Sequence, residues 1–206
     1  MKKFLMFLCA VMMVFGMVGT ASAISFTNES FETGNFDGWY TQTAAGGSAS
    51  VVTEDSGFSA TDGNYFANLT ASALIGQPQS WVAGETLTFD WNFTANDYLP
   101  YNDFSILLIL DSNDNVLENI TLANVMSVGD YNTTGWNTYE YTFAAADSGS
   151  IGFGVANVWD AENSSQLYID NVGGGAPVPE PSTILLMGTG LLGLVGYNRK
   201  RFSKKS

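Results

Sequence analysis

The sequence predicts an all-β fold, an antiparallel β-sandwich, on three observations. The stretch ETLTFDWNFTA (85–95) sets Leu87, Phe89, Trp91 and Phe93 on one face against Thr88, Asp90 and Asn92 on the other. That is the period of two that marks a strand with one buried face. Short apolar runs recur along the chain between Gly, Asn, Asp and Ser turn residues, and no stretch between the two ends carries an apolar period of 3.6. Eight to ten strands at this spacing suit two packed sheets.

In chain order, Met1–Ala23 reads as a secretory signal peptide. Lys2 and Lys3 are its basic start, 4–18 its apolar run, and Ala21-Ser22-Ala23 its small-residue cleavage site, so the mature chain is expected to begin at Ile24. Cys9, the single cysteine, lies in the apolar run and leaves the exported part without a disulfide. Leu8 before it is bulky and the run continues past it, which argues against a lipoprotein site.

The domain, expected over 24–172, opens with SFTNESFETGNFDGWYTQT, broken at Gly34 and Gly38. SASVVT (48–53) is strand-like, and DGNYFANLT (62–70) places a turn at Asp62-Gly63 before the next strand. The run DFSILLIL (103–110) is apolar on both faces and suits a strand inside a sheet. SNDN (112–115) turns it back into VLENITL as a hairpin. That turn lacks the central Gly and the Glu at the twelfth position that an EF-hand loop needs. WNTYEYTF (136–143) alternates again, and SIGFGVANV (150–158) and QLYIDNV (166–172) add two more strands.

GGGAP (173–177) reads as a flexible linker. After it, 178–206 has three parts: Pro179-Glu180-Pro181, an apolar run over 182–197, and a basic tail that includes Arg199, Lys200 and Arg201. As a helix the run reaches about 24 Å, short of a hydrocarbon core of about 30 Å. It is a marginal span, and the basic cluster is expected to stay cytoplasmic with the domain outside.

Charge excludes several functions. All seven Lys and Arg lie in the two terminal segments, all twenty Asp and Glu lie between Glu29 and Glu180, and there is no His. A domain without a cationic side chain cannot neutralise phosphates, so nucleic acid is not a partner. Without His, Lys or Cys it has no triad, no His-ligated zinc site and no Schiff base. Only a carboxylate pair remains arithmetically open, nothing singles one out, and the chain is expected not to be an enzyme.

The three-part tail resembles the PEP-CTERM sorting signal of exopolysaccharide-producing Gram-negative bacteria. The resemblance implies recognition at Pro179-Glu180-Pro181 by an exosortase, export across the inner membrane, transient anchoring by the C-terminal helix, and a final place at the cell surface or in the matrix. SFETGNFDGW (30–39), GWNTYEYTF (135–143) and LYIDNV (167–172) resemble the jelly-roll, galactose-binding-like modules found among carbohydrate-binding modules. That resemblance implies a jelly-roll sandwich and a structural Ca²⁺ held by Glu32 and Asp170, with Asp62 as a third ligand. Carboxylates suit Ca²⁺, and a domain without cations gains by binding it.

Among the aromatic residues, Trp39, Trp91 and Trp136 lie in segments that read as core or structure. Trp81 among Gln77, Gln79 and Ser80, Tyr98 and Tyr101 in NDYLPYND, and Trp159 before Asp160 are the candidate sugar-stacking residues. Two functions stay open. One is a structural protein of the exopolysaccharide or biofilm matrix, its carboxylates crosslinked through divalent cations. The other is a carbohydrate-binding module for a neutral glycan.

Overall fold

The computed structural model describes residues 23–44, 46–160 and 162–175, together with Met187, Gly188 and Gly190, which have helical backbone. The signal peptide before Ala23, Pro179-Glu180-Pro181, and Arg199, Lys200 and Arg201 lie outside the described residues. So does the expected 182–197 helix, apart from those three positions. Among the described residues no helix is long and apolar enough to cross a membrane.

Twelve strands form a jelly-roll sandwich of two five-stranded sheets and one small hairpin. They are β1 (Tyr40–Thr43), β2 (Ser48–Val52), β3 (Glu54–Asp55), β4 (Phe58–Ser59), β5 (Phe66–Thr70) and β6 (Ala73–Trp81), then β7 (Thr86–Thr94), β8 (Phe104–Asp111), β9 (Val116–Asn124), β10 (Asn137–Thr142), β11 (Asp147–Ala156) and β12 (Gln166–Gly175). The first sheet runs β1-β6-β11-β8-β9, the second β10-β7-β12-β5-β2, and β3 pairs with β4 alone. Every pairing within the sheets is antiparallel.

The alternation read from β7 is the wall of the core: Leu87, Phe89, Trp91 and Phe93 are buried, facing Ile75, Leu107, Ile109, Ile151 and Phe153 of the first sheet. Phe89 and Phe153 meet across the two sheets with ring centroids 4.6 Å apart. Strand β8 lies inside its sheet between β11 and β9, as its two apolar faces predict. Its hairpin with β9 forms around the 112–115 turn.

The stretch before β1 closes one end of the sandwich with side chains rather than strands. Phe31 and Trp39 are buried, and Trp39 stacks on Phe26 at 5.7 Å and reaches Phe153 at 6.1 Å. Gln77, buried on the inner face of β6, holds this stretch with its amide. It accepts from the Thr27 N–H at 2.8 Å and donates to the Thr27 carbonyl at 3.0 Å, standing in for a strand neighbour. Among the described residues the core cluster runs from Ile24 to Val172.

Two expectations need correction. A single helical turn, α1 (Val125–Val128), interrupts the strands, made by a capping box between Asn124 and Ser127. The supposed linker glycines also belong to the sandwich. After a bulge at 171–172, Gly173, Gly174 and Gly175 pair with Thr88, Leu87 and Thr86 of β7. A Cβ on Gly174 would lie 1.9 Å from Ile24 Cγ2 and 2.7 Å from the Ile24 carbonyl oxygen. The glycine is there for close packing, and the domain extends to Gly175. Gly174→Ala is therefore expected to lower the unfolding free energy by about 1–3 kcal/mol. The reading is a urea midpoint shift at unchanged slope. A linker glycine would accept the alanine without any shift.

Candidate functional site

The antiparallel order sends all the longer loops to one pole. The stretches 95–103, 125–136 and 157–165 follow the ends of β7, β9 and β11, while 60–65, 82–85 and 112–115 lie at the other pole. The predicted site residues divide between these two ends.

Glu32, Asp62 and Asp170 come together at the 60–65 loop. Glu32 accepts from the backbone N–H groups of Asn64 (2.7 Å) and Tyr65 (2.8 Å). Asp170, buried in β12, accepts from Thr61 N–H (2.7 Å), Thr61 O–H (3.0 Å) and Asp62 N–H (2.9 Å) on one oxygen, and from Asn171 N–H (2.8 Å) on the other. Asp62 accepts from the Ser30 hydroxyl at 2.6 Å. Each carboxylate thus has at least one oxygen engaged, those of Glu32 and Asp170 with the 60–65 loop and that of Asp62 with Ser30. Among the described residues no three His, Cys, Asp or Glu side chains are grouped to hold a metal ion. Gly63 makes the clamp possible. Its φ is +72°, and any Cβ there would fall inside the Glu32 carboxylate.

A second carboxylate, Asp55 on the β3–β4 hairpin, does the same for the outer face of the second sheet. One of its oxygens accepts from Asn68 Nδ2, Gln166 Nε2 and Tyr168 O–H, each at 2.8 Å. Burial, together with this partner, pushes the Tyr168 phenol up to about 12. Phe58 covers Tyr168, and the Trp136 indole N–H donates to the Ser59 carbonyl at 2.9 Å. The hairpin thus covers that face around Tyr168, while Thr138, Glu140 and Thr142 of β10 stay exposed. The outer face of the first sheet keeps a groove of about 360 Å³ lined by Leu74, Phe104, Ile106 and Gly154.

The opposite pole carries the exposed aromatics. Tyr98 is 40% exposed, Tyr131 is 63% exposed, and Tyr101 is half-buried. Tyr98 lies 5.4 Å from Tyr101, edge to face, and 5.9 Å from Tyr131. Main-chain ties hold the two loops together: Tyr131 N–H donates to the Asp97 carbonyl (3.1 Å), and Leu99 N–H to the Asp130 carboxylate (3.1 Å). Trp159, on the 157–165 loop at the same pole, is 79% exposed. Tyr131 was not among the sequence candidates. Its place beside Tyr98 depends on pairing between loops some thirty residues apart, and no local pattern announces it.

Trp81 does not belong with this group. It is 4% exposed and stacks on Phe143 with centroids 4.8 Å apart, so neither ring face is open to a ligand. Its polar flank misleads because Gln77 is itself buried, occupied with the Thr27 backbone.

The buried acids set the pH response. Burial, outweighing several hydrogen bonds, holds the Asp103 and Asp170 carboxyls above the ordinary Asp range. The folded state therefore keeps protons that the unfolded chain has released, and stability falls as pH rises through that window. Glu32 works oppositely, its carboxyl held low by the Asn64 amide first and the Tyr65 amide next. Its contribution is present above the ordinary Glu range and is lost as pH falls through its folded value. It is fully exposed and counts for little against solvent screening. In EDTA the melting temperature is expected to rise as pH drops from neutral toward the carboxylate range. A monotonic fall over that interval would contradict this assignment.

Comparison with known proteins bears on the two ends of the chain differently. Residues 177–200 match the PEP-CTERM protein-sorting motif. Comparison with curated proteins finds no match. Among solved structures, the chain is similar to TmCBM61, solved in complex with β-1,4-galactotriose. The TM-score is 0.51 and the identity 19%, over 75% of this chain and 99% of that one. It is also similar to part of arabinose-bound MgGH51 α-L-arabinofuranosidase, with a TM-score of 0.51 and 11% identity over 79% of this chain and 28% of that one. At such identities the likeness concerns the fold alone. The chain thus joins a sandwich with the fold of carbohydrate-binding modules to a C-terminal PEP-CTERM sorting motif.

Proposed function

We propose that this is a non-enzymatic, exosortase-processed protein of the cell surface or exopolysaccharide matrix, whose tyrosine pole binds a neutral glycan. The observation that carries the glycan reading is the cluster of Tyr98, Tyr101 and Tyr131, two of whose rings stand open to solvent. Sugar rings present C–H faces that pack on aromatic rings, and phenol hydroxyls donate and accept at the rim. Trp159 adds a fourth aromatic side chain at the same pole. The glycan is neutral because the domain has no cation to pair with an acidic one. The fold shared with a galactotriose-bound module supports the reading without specifying the sugar.

Sorting follows from the 177–200 motif. Export in a Gram-negative host, cleavage near Pro179-Glu180-Pro181 and release from a temporary membrane anchor are part of the same proposal. If both ends are removed, the product has no Lys or Arg between Ile24 and Pro181. The secreted form is therefore expected to survive trypsin whole even when unfolded in urea, as read by intact mass. Tryptic fragments from within that range would show that the processing is misassigned.

A glycan array followed by fluorescence titration tests the binding. Tyr98→Ala and Tyr131→Ala are each expected to weaken the interaction roughly tenfold, the loss of a single stacking contact. A second reading, a structural matrix component crosslinked through divalent cations, rests on the domain's wholly anionic charge. It predicts that no glycan binds, that the double tyrosine variant stays in the matrix, and that EDTA alone releases it.

A further inference from the structure

Beneath the tyrosines, the roots of loops 95–103 and 157–165 enclose oxygens that lack donors. Asp97 is 1% exposed, Asp103 and Ser165 are fully buried. Asp103 is partly satisfied: Val158 N–H donates to Oδ1 at 2.8 Å and the Ser165 hydroxyl to Oδ2 at 2.8 Å. Asp97 receives only the N–H of Tyr98, at 2.8 Å on Oδ1. Its Oδ2 is buried without a hydrogen-bond partner, and so is Oδ1 of Asn157, the residue next to Val158. The Asn157 amide nitrogen is turned the other way, donating to Ser164 Oγ at 3.3 Å.

Both orphans are acceptors. Together with Asp103 they place two carboxylates and an amide oxygen in one buried region of a domain that contains no Lys, Arg or His. A proton on Asp97, even one donated to the Asn157 oxygen, neutralises only one of the two carboxylates. A cation serves both orphans and neutralises the charge in the same step. The available ligand atoms are all hard oxygens, from carboxylate, amide, hydroxyl and main-chain carbonyl, with no nitrogen or sulfur ligand among them. That set suits Ca²⁺, which accepts six to eight oxygens in irregular array, better than Mg²⁺, which holds its waters and demands an octahedron.

We propose that Asp97, Asp103 and Asn157 form a Ca²⁺ site at the root of the tyrosine loops, with Asp97 Oδ2 and Asn157 Oδ1 as ligands. It lies at the pole opposite Glu32, Asp62 and Asp170, each of which has an oxygen engaged with the 60–65 loop or with Ser30. It stands independently of the glycan reading. Its structural role is to join loop 95–103, through Asp97 and Asp103, to loop 157–165, through Asn157.

The experiment uses the domain 24–175, stripped with EDTA and titrated with CaCl₂ by calorimetry and by thermal melting, with Tb³⁺ luminescence sensitised by the neighbouring tyrosines as a third reading. One Ca²⁺ is expected to bind at this pole and to raise the melting temperature with concentration, as a ligand of the folded state must. In EDTA, Asp97→Asn is expected to melt higher than the unmodified domain, because it removes a buried charge, and yet to lose the Ca²⁺ response. A merely structural role for Asp97 would lower stability under both conditions. Asn157→Ala, which leaves the charge unchanged, should weaken Ca²⁺ roughly tenfold or more, the loss of one ligand. Asp170→Asn should leave this site's affinity in place. No Ca²⁺ response in the unmodified domain would overturn the proposal, water then filling the space. So would a response abolished by Asp170→Asn and kept by both Asp97→Asn and Asn157→Ala.

Discussion

From Ile24 to Gly175 the chain contains carboxylates and no Lys, Arg or His, so every buried acid must be satisfied by neutral donors. Four side chains meet that constraint in different ways. Asp170 draws three backbone N–H groups and a hydroxyl onto itself. Asp55 gathers two amides and a phenol. Glu32, on the surface, takes two main-chain amides. Asp103 takes one amide and one hydroxyl and remains buried beside Asp97. Hydrogen bonds to ionised groups are stronger than neutral ones, which is why each acid that finds donors fixes a loop.

The acids therefore act as loop anchors. Asp170 and Glu32 reach the same five-residue stretch from opposite sides, one from β12 and one from the segment before β1, and Gly63 leaves room for the second carboxylate. Asp55 draws the β3–β4 hairpin over Tyr168 and covers that part of the second sheet's outer face. What remains open is the first sheet's outer face and the pole with the long loops. The exposed tyrosines stand where, among the described residues, a buried carboxylate oxygen lacks a hydrogen-bond partner.

Much of this was legible in the sequence where the signal is local. The alternation at 85–95 is β7, and the 103–120 hairpin is β8 and β9. Trp39 and Trp91 are buried as expected. The failures share one cause, that a residue's role was set by a neighbour distant in sequence. Trp81 reads as a ligand-facing aromatic until Gln77 is seen serving the Thr27 backbone. Gly174 reads as a linker until Ile24 is seen against it. Asp90 and Asn92 read as the wet face of β7, yet both are buried, Asp90 beneath Thr138 and Asn171 and Asn92 beneath Thr133 and Thr134. The two-residue strands β3 and β4 have no periodicity to read, and the Ser56-Gly57 turn between them, with positive φ at both residues, is the only local signal of the hairpin that carries Asp55.

The direction of the last strand connects the two ends of the molecule. β12 begins at Gln166, beside Thr70 and Thr94 at the tyrosine pole, and ends at Gly175, beside Thr86 at the other pole. Ten residues of extended chain span roughly 30 Å. Whatever follows Gly175 thus departs from the pole farthest from Tyr98 and Tyr131, and the 177–200 sorting motif begins two residues later. The acid clamps at 60–65 and the paired glycines 173–175 lie at the Gly175 end, so a hydrogen-bonded framework separates that end from the aromatic loops.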